Sequence, residues 1–440
     1  MTTTNRWLLT LVAVLCLALA VTLPLAAQDA AGAQDSAGAP GAADAASDPF
    51  AEGQDPFDVG AFDQVVAAGE AEDAAARLEM QFGGNLSMSA TTVTTAAFDW
   101  YTAGATASGK AFLKVSVPDY GAAYIAYNFE KKLVQGAGGV LPPLFPTTTE
   151  NGLFDVSFEL AEFYLSFDIA QKVFVRVGNQ LLAWGPSVIW TPADFINLKK
   201  PDALAAFDSR LGKPGVRVTA PIGISNLILF ADLADTVSGL AAPFDVNDLY
   251  ETTNLAGRWD IVLAGFELGL STYLGASVQN KYGFDFSGRL LGFDVYGELG
   301  MAFPDEGEDF SYAYSLGLQR TLGELDYWSV AAEFFANSAG TDDTSSYSGF
   351  INPFYVGKYY AYAALTRTNI GRDGISATLA GFANFSDLSF LARLSTSIRL
   401  PRLVPFTFAL SWAGGGDGKA FTYGADDNVL TAELRVSYEF

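Results

Sequence analysis

From Gln81 to Phe440 the chain is a succession of short segments in which apolar and polar residues alternate, separated by glycine, proline, asparagine and aspartate. Leu291, Phe293, Val295, Gly297, Leu299, Met301 and Phe303 share one parity, and Asp294, Tyr296 and Glu298 take the other. Phe390, Ala392, Leu394, Thr396 and Ile398 oppose Arg393, Ser395, Ser397 and Arg399. Lys172, Phe174, Arg176, Gly178 and Gln180 oppose Val173, Val175 and Val177. The last segment places Leu430, Ala432, Leu434, Val436, Tyr438 and Phe440 against Thr431, Glu433, Arg435, Ser437 and Glu439. Successive side chains of a strand point to opposite faces, so a period of two predicts strands with one apolar and one charged face. About eighteen such strands can be counted, at about twenty residues each with its connection.

Two architectures accept this pattern. In a soluble sandwich the charged face meets solvent outside; in a membrane barrel it meets a wet lumen and the apolar face meets lipid. Soluble sandwiches seldom reach about 360 residues without dividing into domains. Phe and Tyr gather near the strand ends, and the last strand closes on Phe440 with no polar tail. The expected fold is therefore an all-β transmembrane antiparallel up-and-down barrel of about 16–18 strands over 81–440, in the cell outer membrane. Tight turns are expected at Ser225-Asn226 and Gln279-Asn280. Longer loops are expected at Gln135 to Asn151, Trp184 to Lys213, Asp235 to Asn254, Ser338 to Tyr355 and Gly414 to Asn428.

The N-terminus follows a different rule. Arg6 precedes an apolar stretch, Trp7 to Leu23, and then Pro24-Leu25-Ala26-Ala27-Gln28, which predicts a secretory signal peptide over 1–27. Residues 28–62 are rich in Ala, Gly, Asp and Ser and read as a disordered acidic periplasmic segment, with Asp48-Pro49-Phe50 repeated as Asp55-Pro56-Phe57. Residues 63–80 contain helix formers and read as a short helical lead-in. The formal charge is −24; residues 28–79 hold twelve acids and one base, Arg77, a net −11 of that total. Nucleic acid is a poor partner for such a chain. The acidic run Pro304 to Asp309 lacks the spacing of a calcium loop and reads as a solvated tip.

Histidine is absent, and the one cysteine, Cys16, lies within the signal stretch. Ordinary zinc sites and Ser-His or Cys-His nucleophiles cannot be built without them. No enzyme activity and no cofactor are expected.

One segment is not generic: residues 161–202, AEFYLSFDIAQKVFVRVGNQLLAWGPSVIWTPADFINLKKPD. Two strands lead into about thirty residues of loop, long for a barrel and carrying Trp184 and Trp190. That much aromatic surface predicts a loop folded back on a wall or into the lumen. Gly178-x-Gln180, Trp184-Gly185 and Pro192-x-Asp194-x-x-Asn197, preceded by Glu162-Phe163-Tyr164-Leu165, resemble a pattern of porin-like bacterial outer-membrane barrels. With Tyr359-Tyr360-Ala361-Tyr362 and the closing strand, they resemble barrels of spirochaetes. Leu198 and Asn179 depart from the commonest form of that pattern. The ending also resembles barrels whose final aromatic residues, here Tyr438 and Phe440, are read by the barrel-assembly machinery. Through that resemblance the machinery and outer-membrane lipids become expected partners, and a homo-oligomer is compatible.

Two readings of the loop remain open. Asp194 and Asn197 could line a constriction opposite Arg176, Arg217 or Arg258, with a transverse field across a pore. Alternatively they cap turns, and Trp184 and Trp190 pack the loop down. Glu298, Arg320, Glu333, Arg367, Arg393 and Glu433 are further lumen candidates, each as a member of an internal salt-bridge lattice. The leading expectation is a channel for passive diffusion of small hydrophilic solutes, narrowed by the 184–212 loop, with a mild cation preference from the net charge. The rivals are a plugged transporter of hydrophobic compounds, marked by an apolar pocket and a kinked, unpaired wall strand, and a non-transport adhesin or structural barrel.

Overall fold

The fold was examined in a computed structural model. It describes residues 78–440 apart from loop stretches 97–100, 119, 138–155, 198–203, 205–207, 239–251, 276–277, 305–308, 324–326, 348–351, 372–373, 400–403 and 423–427. The signal peptide, the acidic segment, residues 63–77 of the lead-in and most of the 304–309 tip lie outside the described residues. One compact unit comprises 75–238 and 251–440.

That unit is a closed sheet of eighteen antiparallel strands. In chain order they are β1 (Glu79–Thr95), β2 (Tyr101–Val117), β3 (Gly121–Ala137), β4 (Ser157–Ile169), β5 (Val173–Gln180) and β6 (Lys213–Ile222). Next come β7 (Ser225–Asp232), β8 (Asn254–Leu263), β9 (Phe266–Leu274), β10 (Asn280–Leu290), β11 (Phe293–Phe303) and β12 (Ser311–Leu322). The last six are β13 (Trp328–Asn337), β14 (Tyr359–Arg367), β15 (Ile375–Asn384), β16 (Ser389–Ile398), β17 (Phe406–Gly414) and β18 (Val429–Glu439). A short helix, α1 (Ala234–Ser238), follows β7. β1 takes in Glu79 and Met80, so the wall starts two residues before the sequence boundary.

Every strand pairs with its sequence neighbours, and β1 pairs with β18 from Asn85↔Glu439 to Thr95↔Val429. Reciprocal backbone hydrogen bonds of 3.0 Å between Gly84 and Phe440 end that seam. Closure removes the unsatisfied edges that lipid could not hydrate.

The alternation orients the wall. Leu270, Leu316, Leu379, Leu394 and Leu410 face outward, each 47–55% exposed, a belt that lipid covers and water would not. Aromatic contacts flank it, with Phe82 against Phe440 at one rim and Tyr282, Phe303, Phe310 and Tyr312 in sequence at the other. Arg320 and Arg367 depart from the lumen expectation. They share the outward parity near the short-turn rim, where Arg320 lies over the Phe293 ring and Arg367 over Tyr327 and Trp328. There a guanidinium keeps its charge at the interface while its stem covers apolar surface.

The two- and three-residue turns lie at the rim that carries both ends of the described chain, whereas the four-residue turn 385–388 lies at the opposite one. Ala170-Gln171, Ala264-Gly265 and Leu291-Gly292 each hold two residues at positive φ, the tight hairpin geometry that matches strand twist. Leu291 is thus a turn residue rather than part of β11. Ser225 and Asn226 belong to β7, and their turn is Gly223-Ile224; Gln279-Asn280 lies at the opposite rim. Long connections gather at that opposite rim, the extracellular side in barrels of this build.

Candidate functional site

The connection between β5 and β6 does not leave the barrel. Residues 184–197 turn into the lumen and lie against the inner faces of β7 to β15, held by apolar packing and by two carboxylates of the wall. Trp190 is fully buried. Its indole stacks on Phe335 at 5.4 Å with planes 3° apart, meets Phe382 edge-on at 6.5 Å, and donates Nε1–H to the Phe354 carbonyl at 2.8 Å. Ile189 joins it against Tyr360 and Tyr362 of β14. Trp184 seeds a second cluster with Leu182, Ile196, Phe230, Ala256 and Tyr273. Burial of aromatic area supplies most of the attraction.

An irregular loop in a lumen must satisfy backbone amides that no ladder serves. Two strand carboxylates do so. Glu298 of β11 accepts from Ser187 N–H at 2.8 Å on Oε1 and Ala193 N–H at 3.0 Å on Oε2. Glu333 of β13 accepts from Val188 and Ile189 N–H at 3.1 and 3.2 Å on Oε2, and from Trp190 N–H at 2.8 Å on Oε1. Tyr296 donates its hydroxyl to the same Oε2 at 3.1 Å. Between these strands, Ser315 of β12 shares a 2.7 Å hydroxyl contact with Ser187. Glu298 and Glu333 are 3% and 2% exposed, so these donors replace hydration. Two glycines make the approach close enough. A Cβ on Gly185 would overlap the Glu298 carboxylate, and its φ is +94°; a Cβ on Gly300 would overlap the Pro192 carbonyl.

The sequence candidates fall into three places. Asp194 and Asn197 are buried within the loop: Asn197 Nδ2 donates to both Asp194 oxygens at 2.8 Å and to the Leu182 carbonyl. Arg210, on the returning arm, reaches Asp194 at 3.1 Å and Asp208 at 2.6 Å. Burial alone would raise the Asp208 carboxyl, but the hydrogen bonds and charge of Arg210 outweigh it and hold it below the ordinary range. Arg258 projects from β8 onto Asp285 (2.6 and 2.9 Å) and Asp260 (2.7 Å). A cavity of about 420 Å³ opens there below Gly185 and Pro186, lined by Asn226, Arg258, Asp260, Glu267, Asp285 and Ser287 together with Ile224, Ile261, Val262 and Leu268.

Arg176 and Arg217 lie on the other wall, directly paired across β5 and β6. Arg176 lies 4.2 Å over the Tyr164 ring. Their inward parity is shared by Lys110 and Lys114 on β2, Arg393 on β16 and Arg435 on β18. Glu162 meets Lys110 at 3.2 Å, and Glu433 meets Arg393 and Arg435, each at 2.6 Å. Arg435 also donates to the Leu204 carbonyl at 3.2 Å, so the same connection reaches β18. Inward charge is unevenly placed: Asp260, Glu267, Asp285, Glu298 and Glu333 stand with Arg258 and Lys281 on the β8–β13 side, while the other side carries Lys110, Lys114, Arg176, Lys213, Arg217, Arg393 and Arg435 with Glu162, Asp232, Glu433 and Glu439 among its carboxylates.

Glu298 and Glu333 were legible as inward charges, but their partners are amides rather than arginines. Arg210, Asp285, Lys110 and Lys114 carried no motif; strand parity was the only signal for the last three. Among the described residues no cluster of metal-ligating side chains occurs.

The fold is similar to solved bacterial outer-membrane porins. Pseudomonas aeruginosa OccK2 (OpdF) matches with a TM-score of 0.53 at 10% identity, covering 82% of this chain and 98% of that one. Acinetobacter baumannii OccAB1 matches with a TM-score of 0.50 at 11% identity, over 82% and 97%. Pseudomonas aeruginosa OpdK, solved with vanillate, matches with a TM-score of 0.50 at 10% identity, over 82% and 98%. No family model matches the chain, and no curated protein is similar to it in sequence. At these identities the likeness is one of fold: the chain has an eighteen-stranded closed barrel like those of these porins.

Proposed function

We propose that the protein is a passive diffusion channel for small hydrophilic solutes, narrowed by the inward loop and favouring anions. The observation that carries this reading is the uneven placing of inward charge: the loop covers the β8–β13 wall, so solute passes beside Lys110, Lys114, Arg217, Arg393 and Arg435, with the charge of Arg176, 5% exposed, next to Arg217. Rings and rows of charge on a narrow wall select by sign. Local charge at the constriction thereby overrides the mild cation preference expected from the net negative charge of the barrel portion. OpdK was solved with vanillate, an aromatic carboxylate, and a small organic anion of that kind suits this wall.

A hydrophobic-compound transporter fits less well. The cavity under the loop sets Arg258, Asp260, Glu267 and Asp285 among its aliphatic side chains, and each wall strand is hydrogen-bonded on both sides. The role is non-catalytic. Asp194 and Asn197 shape the loop from within, while Arg176 and Arg217 act at the constriction. The Gly178-to-Asn197 pattern supports kinship with spirochaete-type barrels, and Tyr438 and Phe440 are the segment offered to the assembly machinery.

Planar bilayers test the reading. Purified, folded protein is expected to give unit conductance steps, with a reversal potential in a KCl gradient that reports chloride preference. The double variant R176A/R217A is expected to shift that potential toward potassium. Absence of current, or a potassium preference unchanged by the variant, refutes it.

A further inference from the structure

The five amides that bind Glu298 and Glu333 lie within seven consecutive residues, Ser187 to Ala193. We propose that Glu298 and Glu333 are positioning residues that latch the loop only while ionised, so that acid releases it and widens the bore. The inference rests on the channel reading for its consequence, but not for the latch itself.

The chemistry lies in the count of donors and acceptors. A carboxylate is acceptor-only on both oxygens, and here each oxygen of each residue takes at least one N–H. A protonated carboxyl turns one of those oxygens into a donor. The added hydrogen competes with the amide hydrogens already in place, and the hydrogen bonds that remain lose the strength that the ionised acceptor gave them. On Glu333, Oε2 also holds the Tyr296 hydroxyl, so a proton there competes with three donors. The loop contributes no cation between Gly185 and Ala193 to keep either group ionised.

The neighbours from every packed element are consistent with such a switch. Around Glu298 stand Asp285 of β10, a like charge, and Arg258 of β8, whose guanidinium is already committed to Asp285 and Asp260. β12 presents only Ser315. Around Glu333 stand the phenols of Tyr296 on β11, Tyr362 on β14 and Tyr355 from the β13–β14 loop, all neutral through the physiological range. No lysine or arginine contacts either carboxylate among the described residues.

The two carboxylates serve different stretches, which separates their effects. Glu333 holds residues 188–190, and Glu298 holds 187 and 193. Hydrogen exchange of the folded full-length protein in detergent reads the latch without any current, each amide normalised to β-ladder amides of β13 and β14. Between about pH 8 and about pH 4, protection of residues 187–193 is expected to fall about tenfold or more relative to the ladder. At about pH 8, Glu333→Gln should reproduce the loss at 188–190 and spare 187 and 193, and Glu298→Gln should do the reverse. Bilayer conductance should rise under the same conditions, and the acid-induced increase should shrink in the variants. Protection of residues 187–193 that follows the ladder at every pH in wild-type protein overturns the latch, and needs no variant to fold. Amides that respond as expected in a protein without current leave the latch standing and remove the channel reading instead.

Discussion

Replacing Trp190 with alanine separates the loop from the wall that carries it. Trp190 is 0% exposed, and full burial of a tryptophan removes about 200 Å² from water, an upper estimate of ~5 kcal/mol. Truncation of buried aromatics costs about 3–5 kcal/mol in practice. The stack on Phe335 and the edge contact with Phe382 fall within that figure. Loss of the Nε1–H bond to the Phe354 carbonyl adds about 1 kcal/mol. None of these contacts belongs to the β-ladder: β13, β14 and β15 keep every backbone bond without the indole. The penalty therefore falls on the packed position of the loop. W190A is expected to fold, with the heat-modifiable gel mobility of an intact barrel, and to conduct more than wild type with larger current noise. W190F keeps most of the stacked ring and loses the N–H, so it should lie close to wild type. A folded W190A with unchanged conductance refutes the assignment of the loop as the constriction. A W190A chain that cannot form a barrel at all refutes the independence of loop and wall.

Three other perturbations address separate parts of the site. Gly185→Ala places a methyl where the Glu298 carboxylate sits, at a positive φ, and should cost about 1–3 kcal/mol of loop stability, read as faster exchange of residues 187 and 193. Arg210 holds the Asp208 carboxyl below its ordinary range, so this pair stabilises the returning arm above about pH 4 and its contribution is lost as pH falls through the lowered value. Arg210→Ala should let burial raise the Asp208 carboxyl, moving the acid loosening of residues 208–212 to higher pH in an exchange titration. Asp387 takes Ser389 N–H and Oγ–H on one oxygen and Ala420 N–H and the Tyr347 hydroxyl on the other. Asp387→Ala should cost about 2 kcal/mol or more of order at the extracellular rim, measured as faster proteolysis of the 338–358 and 415–428 loops at unchanged barrel stability.

The location of the loop's partners was hidden because strand parity is a local property and registry around a barrel is not. Parity marks Glu298 and Glu333 as inward. It does not say that they stand two strands apart at the depth reached by Ser187, 111 residues earlier for the first pair. Arginine partners were the natural expectation for such carboxylates, yet five backbone amides fill the role. Arg320 and Arg367 failed for a related reason: near a rim, a charged side chain of outward parity is stable on an aromatic girdle, so charge alone does not identify a lumen position.

The wall itself was determined by the chain's alternation. A period of two predicts strands, length and aromatic strand ends favour the membrane barrel over a sandwich, and closure leaves no strand edge in hydrocarbon. About eighteen strands and an aromatic loop folded back on a wall or into the lumen follow from residues met in order. Tertiary structure alone decided which wall the loop covers and which it leaves to the solute. That choice depends on amides, carboxylates and aromatic rings brought together from strands far apart in sequence, whose meeting is set by barrel registry.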